Sequence, residues 1–184
     1  SVLLSHAYDS EGLILPLALT PAADASRLLC KSCLPAGARD TLINTNVTVN
    51  LHHDGVPPSA FASGSRLSDA FTVLSTNADL KGKPFVSTIE ANGGAPIWGT
   101  QWHPERPQFE WRGASGDFMD HSEEAISAMF AVAQRLVREA RLSPRRFKTA
   151  GDEQSALIYN FSPVGSADGG KPRATSTLLI LATL

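Results

Sequence analysis

The chain has 184 residues, of which 42% are hydrophobic and 18% are charged, and its formal net charge is −2. This length and composition are typical of one globular domain with a sizeable core. The small net charge gives no electrostatic reason to expect binding to nucleic acid or to an acidic membrane surface. No apolar run is long enough for a transmembrane helix. The functional signal must therefore lie in local motifs.

The first 34 residues predict two short strands and a helix. Apolar residues at 2–4 and 13–17 flank a turn signal at 9–12, which is typical of a hairpin or of two edge strands. Pro16 argues against a central antiparallel strand. Residues 22–34 carry Ala and Leu at helical spacing and predict a short helix.

The two cysteines, Cys30 and Cys33, have three competing interpretations. A CxxC redox pair would need a strand before it and a helix after it, whereas Leu-Pro-Ala-Gly at 34–37 breaks a helix. A zinc site would need further Cys or His ligands at suitable spacing, and the sequence has no second CxxC. The pattern favours two small hydrophobic side chains in a loop or short helix.

Residues 45–51 alternate between apolar and polar side chains and predict a half-buried strand that leads into His52 and His53. From the sequence alone, this histidine pair is as typical of a solvated loop as of a functional site. Asn46 begins an Asn-Val-Thr sequence, which accepts an N-linked glycan if the protein enters the secretory route.

Three further strand candidates precede the main motif. Residues 71–75 and 85–89 lie on either side of a tight turn and predict an antiparallel hairpin. Residues 96–102 are rich in apolar and aromatic side chains and predict a buried strand.

His103 and Glu105 follow that strand directly. Pro104 disfavours helical geometry for His103, and residues two apart in an extended segment point to the same side. An imidazole beside a carboxylate at a strand end is the arrangement of an oriented general base. In α/β proteins, ligand sites also lie at that end of the sheet. The same tripeptide occurs in ordinary surface turns, so it does not identify a function alone.

Residues 120–142 predict the longest helix. Asp120 can cap it, Glu123 completes a capping-box pattern, and Pro144 stops it. The predicted buried stripe consists of Ile126, Met129, Phe130, Ala133, Val137 and Ala140. Residues 156–161 predict a last strand.

The region around His103 resembles the γ-glutamyl hydrolases (folate γ-glutamyl hydrolase), a branch of the class I glutamine amidotransferase-like superfamily. The His-Pro-Glu of 103–105 resembles the whole superfamily, whereas the flanking segments resemble this branch in particular. The segments that carry the resemblance are LSTNAD at 74–79, FVSTIE at 85–90, PIWG at 96–99, QWHPE at 101–105, FEW at 109–111 and ALIYNFSP at 156–163. The resemblance therefore covers most of residues 2–163.

The resemblance implies a fold, a reaction and residue roles. The expected fold is α/β, a three-layer sandwich of the class I glutamine amidotransferase type (flavodoxin-like) with a mostly parallel sheet. In this family a cysteine thiolate attacks the γ-amide carbonyl, a histidine serves as base and then as acid, and a carboxylate orients the histidine. His103 matches that base, Glu105 matches the carboxylate, and His52 matches a histidine that handles the substrate.

The same resemblance implies the surroundings of the reaction. The expected substrate is a small molecule, a folate poly-γ-glutamate, and no cofactor or metal is expected. A homodimer is a candidate assembly. The expected compartment is the vacuole, the lysosome or the outside of the cell, to which Asn46 adds weak support.

The expected nucleophile has no counterpart in this sequence. The superfamily places its cysteine in a Gly-x-Cys-x-Gly elbow, and neither Cys30 nor Cys33 has glycines two residues away. We therefore expect an N-terminally truncated fold, with the C-terminal portion of the hydrolase domain at 1–163 and a divergent tail at 164–184. Such a chain should expose a sheet edge and apolar helix faces.

Two other functions remain open. One is a truncated, non-catalytic homologue that binds γ-glutamyl ligands or a partner. The other is a glutaminase subunit, which shares the His-Pro-Glu at 103–105 but is disfavoured by the flanking STIEA and FEW and by the glycosylation signal at Asn46.

Overall fold

The computed structural model describes residues 2–111 and 118–161 and the backbone of residues 179–182. The strands within them are β1 (Ser10–Leu15), β2 (Ala18–Leu19), β3 (Thr48–His52), β4 (Phe71–Ala78), β5 (Pro84–Ala91), β6 (Ile97–Thr100) and β7 (Leu179–Ala182). The α-helices are α1 (Ala38–Asn44), α2 (Arg66–Ala70), α3 (Glu123–Ala140) and α4 (Ala150–Ala156). Short 3-10 helices span Pro21–Ala25, Pro58–Phe61, Asn92–Gly94 and Ile158–Asn160.

The described strands form two antiparallel sheets. One has five strands in the order β2–β4–β5–β6–β7, and the other pairs β1 with β3. The mixed α/β class predicted from the sequence is confirmed. The main core cluster joins α1, β4, β6 and α3 through residues that include Leu42, Leu74, Trp98 and Met129.

The β4–β5 hairpin was predicted correctly, and one carboxylate shapes its turn. Asp79 accepts backbone N–H groups from Lys81 and Lys83 within the turn and from Asp9 on a neighbouring segment. Those hydrogen bonds, the one from Asp9 foremost, hold the pKa of the Asp79 carboxyl below its usual value. The hairpin is therefore tied to the chain that leads into β1.

Of the two alternatives for residues 2–17, the hairpin was wrong, because residues 2–4 do not pair with residues 13–17. β1 pairs along its length with β3, while Leu4 forms only an isolated bridge to Gly55. The turn signal at 9–12 corresponds to a bulge inside β1, where the register shifts and Gly12 has a φ of 73°. Gly55 permits the approach, because a Cβ there would lie 2.8 Å from the Tyr8 ring.

β3 is fully buried, which corrects the prediction of a half-buried strand. On one face, Val49 and Leu51 pack with Met119 in a second core cluster. On the other face, the His52 ring meets the Phe85 ring at 4.8 Å. The alternation in the sequence therefore separates an apolar contact face from a buried polar one.

The helix predicted at residues 22–34 is also corrected. A 3-10 helix ends at Ala25, Ser26 is extended, and the Ser26 hydroxyl accepts the N–H of Leu29. Leu28 and Leu29 are buried by these turns, so the helical spacing reflects two turns that face the core. The true helix, α1, begins later, after Gly37.

Cys30 and Cys33 form a disulfide, which corrects the interpretation of two unlinked small hydrophobic residues. The Cys33 N–H donates to the Cys30 carbonyl, so a tight turn brings the two Cα atoms within 5.1 Å. The preceding segment carries Arg27, whose backbone N–H donates to the Glu90 carboxylate and whose side chain pairs with Glu139 of α3.

Helix α3 was predicted at nearly its observed length, but its cap and buried face differ. Ser122, not Asp120, caps it by accepting the N–H of Ala125. Phe130 and Val137, which were predicted to be buried, are 56% and 47% exposed. Met129 of the predicted stripe is buried, and the rest of the buried apolar face consists of smaller side chains, namely Ala125, Ala128, Ala131 and Val132.

The last strand predicted at residues 156–161 was wrong, because α4 ends at Ala156 and a 3-10 helix follows. Of the divergent tail at 164–184, the structure describes only β7, which pairs with β6. The predicted domain boundary at 163 lies outside the described residues. Within the described part of the chain, no helix is both long and apolar enough to cross a membrane.

We expect the disulfide to stabilise the fold. Replacing Cys30 and Cys33 with Ser should lower the free energy of unfolding by about 2 kcal/mol. Without the cross-link, the unfolded chain gains conformational entropy, which favours the unfolded state. Urea unfolding measures this. Lys31→Ala in the same turn is the matched control, and equal midpoints for the parent and the double variant would contradict the expectation.

Candidate active site

The segment after β6 joins the two sheets and carries His103. The Gln101 N–H donates to the Ser87 carbonyl of β5 at 2.8 Å, and the His103 N–H donates to the Val49 carbonyl of β3 at 3.0 Å. β3 itself ends at His52. The backbone pairing therefore brings the ends of two segments that are distant in sequence to one place.

The structure places His103 and Glu105 in direct contact, as the extended geometry predicted. Nδ1 of His103 lies 2.9 Å from Oε1 of Glu105. An ionised carboxylate only accepts hydrogen bonds, so Nδ1 carries the proton and donates it. His103 is 4% exposed, and its Nε2 makes no hydrogen bond with any residue that the structure describes. In the neutral ring with Nδ1 protonated, Nε2 carries the lone pair.

Glu105 is held in the ionised form. Its partial burial raises its pKa, but the hydrogen bond from His103, its own backbone N–H and the charges of His103 and Arg106 together outweigh burial, so the pKa lies below the usual value. A negative charge beside an imidazole stabilises the imidazolium that forms when a base takes up a proton.

His52 belongs to the same cluster. It is 2% exposed, its Nδ1 lies 2.9 Å from the Asp54 carbonyl, and its Nε2 lies 3.4 Å from Oδ1 of Asn50. The pKa of His52 is lowered to about 4, mainly by burial. The hydrogen bond with the Asp54 carbonyl opposes this shift, and the charges of His103 and His53 add to it. His52 is thus a neutral imidazole within electrostatic reach of His103.

His53 points elsewhere. Its side chain is about half exposed, and its Nδ1 lies 3.1 Å from the Tyr8 carbonyl. Of the two adjacent histidines, His52 is therefore the one that is buried, as His103 is. The other predicted site, Asn46, is exposed in the turn between α1 and β3.

Sequence reasoning missed several polar residues of this cluster. Asn50 is buried on β3 beside His52. Arg106 lies 3.8 Å from the Glu105 carboxylate and pairs with Glu110 at 3.1 Å. The spacing of four residues between Arg106 and Glu110 was the available signal, but it is informative only where the chain turns helically.

An apolar cavity of about 350 Å³ lies near this cluster in the chain, although His52, His103 and Glu105 do not line it. Its walls include Val56, Phe61 and Ile89, and it reaches Asp54 and Gln101, which are neighbours in sequence of the two histidine segments. Neither cysteine contributes a free thiol, because Cys30 and Cys33 are linked to each other.

The neutral state of His52 makes stability depend on pH. The unfolded chain takes up a proton near pH 6.5, and the folded chain only near pH 4. The unfolding free energy should therefore fall by up to about 3 kcal/mol as the pH is lowered through that window, and be unaffected by His52 above it.

His52→Gln should remove this part of the pH dependence, as measured by urea unfolding across the window. The matched control is His53→Gln, the half-exposed neighbour. An unchanged slope in His52→Gln would show that His52 is not held neutral.

Comparison with known proteins gives one consistent family. No protein-family model matches the chain. γ-Glutamyl hydrolase B of Dictyostelium discoideum is 35% identical over 156 residues, which is 85% of this chain and 44% of the relative. The γ-glutamyl hydrolase of Homo sapiens is 34% identical and covers 88% of this chain and 49% of the relative. γ-Glutamyl hydrolase 1 of Arabidopsis thaliana is 40% identical over 65% of this chain and 33% of the relative.

The chain therefore spans less than half the length of the curated relatives that cover most of it. With this similarity along most of its length, it belongs to the γ-glutamyl hydrolase family, as the counterpart of a C-terminal portion of its members.

Proposed function

We propose that this chain supplies the general base for hydrolysis of γ-glutamyl bonds, with folate poly-γ-glutamates as substrates. The observation that carries the proposal is the His103–Glu105 pair, in which Nδ1 is fixed on the carboxylate and Nε2 is left without a partner among the described residues. The names of the relatives supply the bond type.

The pair suits the two proton transfers of a thiol mechanism. Nε2 of His103 takes the proton of a cysteine thiol while the sulfur bonds to the γ-carbonyl carbon. The same proton passes to the departing amine as the C–N bond breaks, and water then cleaves the thioester. Glu105 holds the ring in the required tautomer and stabilises the imidazolium. His52, neutral and buried beside this pair, is proposed to contact the substrate.

The proposal places the nucleophile outside these 184 residues. Both cysteines are consumed by the disulfide, and the relatives are more than twice as long as the segments they share with this chain. In this proposal, the part of the relatives that lies outside the shared segment completes a three-layer α/β sandwich with a mostly parallel sheet. A homodimer and a vacuolar, lysosomal or extracellular location are parts of the same proposal.

A second candidate is a non-catalytic homologue that binds γ-glutamyl ligands or a protein partner. It is favoured by the combination of a disulfide-bonded cysteine pair and exposed apolar side chains on α3, Phe130 and Val137. Apolar faces of this kind are typical of surfaces that meet another polypeptide.

A chimera separates the two candidates. Residues 2–161 of this chain replace the matching segment of the Dictyostelium hydrolase, and glutamate release from a pteroyl-triglutamate is measured. We expect the chimera to be active, and His103→Ala in it to lower kcat/KM by about 10²- to 10⁴-fold, because a positioned general base contributes that much. The 184-residue chain alone should release no glutamate.

His53→Ala in the chimera is the matched control and should retain activity, because that ring faces away from the His103–Glu105 pair. Full activity of His103→Ala would refute the assigned base. A folded but inactive chimera, together with calorimetric binding of the triglutamate by the 184-residue chain, would favour the non-catalytic candidate.

The proposed compartment has its own test. Expressed behind a secretion signal in a eukaryotic host, the chain should gain the mass of one N-linked glycan, and Asn46→Gln should remove it, because Asn46 is exposed in its turn. Asn44→Gln, an exposed neighbour outside the Asn-Val-Thr sequence, is the control. A chain that leaves such a host without a glycan would contradict the expectation.

A further inference from the structure

Four charged or ionisable side chains form a line that ends at the proposed base. Glu110 lies 3.1 Å from Nη1 of Arg106, Nε of Arg106 lies 3.8 Å from Oε1 of Glu105, and that same oxygen lies 2.9 Å from Nδ1 of His103. The two donors on either side of Glu105 therefore face one carboxylate oxygen.

The position of Arg106 is unusual for a guanidinium. Its Nε is buried and makes no hydrogen bond with the residues that the structure describes. At 3.8 Å it is too far from Glu105 for a hydrogen bond, although its charge still acts on that carboxylate. A shift of about 1 Å would bring this N–H into competition with His103 for the same oxygen.

Glu110 holds Arg106 back from that oxygen. The N–H groups of Phe109 and Glu110 both donate to the Arg106 carbonyl, so the segment makes one turn that returns the Glu110 carboxylate to the guanidinium. His121 holds this turn in place. Its ring stacks on Trp111 with the ring centroids 4.2 Å apart, and its Nδ1 lies 2.8 Å from the Pro107 carbonyl oxygen.

We propose that Arg106 and Glu110 are positioning residues for the His103–Glu105 pair. The charge of Arg106 adds to the interactions that keep Glu105 ionised, and Glu110 restrains Arg106 at a distance where its charge acts but its N–H does not displace His103. This inference rests on the proposed function for its purpose, since the restraint matters only if His103 must present Nε2 to a reacting proton.

The charged and titratable groups around the pair are few among the described residues. His52 at the end of β3 faces His103, and Arg106 faces Glu105. Arg106 is a cation beside Glu105, and Glu110 is an anion that pairs with Arg106. Removing Arg106 and removing Glu110 should therefore change the pKa of Glu105 in opposite directions.

The test is carbon-detected NMR titration of the Glu105 carboxyl in the full 184-residue chain, together with the proton resonance of the His103 Nδ1–H. Arg106→Gln should raise the pKa of Glu105, because a neighbouring cation is lost. Arg106→Lys should retain most of the depressed pKa, because it keeps the charge but not the forked shape.

Glu110→Gln should act in the other direction. With Arg106 released towards Glu105, the pKa of Glu105 should fall further and the His103 Nδ1–H resonance should move upfield as its hydrogen bond weakens. In the Arg106→Gln background, Glu110→Gln should have little effect, because Glu110 is proposed to act through Arg106. Glu124→Gln, an exposed carboxylate in the first turn of α3, is the matched control.

Two results would overturn the inference. One is an unchanged His103 resonance in Glu110→Gln. The other is an equal effect of Glu110→Gln with and without Arg106, which would mean that its charge acts directly. Neither readout requires turnover, so an inactive chimera would refute the proposed function while leaving this test intact.

Discussion

The site depends on one backbone hydrogen bond, from the His103 N–H to the Val49 carbonyl. It joins the segment after β6 to β3, and so connects the five-stranded sheet to the two-stranded one. Because β3 ends at His52, the bond fixes the separation of two histidines that are 51 positions apart in the sequence. A hydrogen bond between backbone atoms positions the attached side chains more precisely than a contact between the exposed ends of long side chains does.

Burial then gives the two histidines different chemical roles. His52 is enclosed by Phe85 and Asn50, so it stays neutral and cannot compete as a charged acid. His103 is also buried, but its Nδ1 faces the Glu105 carboxylate, which fixes the orientation of the ring. The half-exposed Glu105 is the weak point of this arrangement, because solvent reaches its carboxylate and a cation lies only 3.8 Å from the oxygen that binds His103.

Local patterns in the sequence predicted the elements that local physics determines. The β4–β5 hairpin, the extent of α3 and the common direction of His103 and Glu105 all follow from short-range periodicity or from proline geometry. The pairing of β1 with β3 could not be predicted, because strand partners are chosen by contacts that are distant in sequence.

Two further errors have physical causes. Helix α3 carries apolar residues on two faces, and packing selected the face with small side chains. In the Cys30–Cys33 segment, the spacing alone does not distinguish a disulfide from two thiols, since only the turn geometry brings the sulfur atoms together. Of the candidate site, the contact between His103 and Glu105 was predictable, whereas the contacts of Arg106, Glu110 and Asn50 required the folded chain.

The central claim is that Glu105 fixes His103 with Nδ1 protonated and Nε2 free. Long-range nitrogen–proton NMR on histidine-labelled protein reports the tautomer of each ring directly. At neutral pH the account predicts that His103 is the Nδ1–H tautomer, and that Glu105→Gln loses this preference. An Nε2–H tautomer in the parent chain would contradict the account, because the nitrogen assigned to the reaction would then have no lone pair to accept a proton.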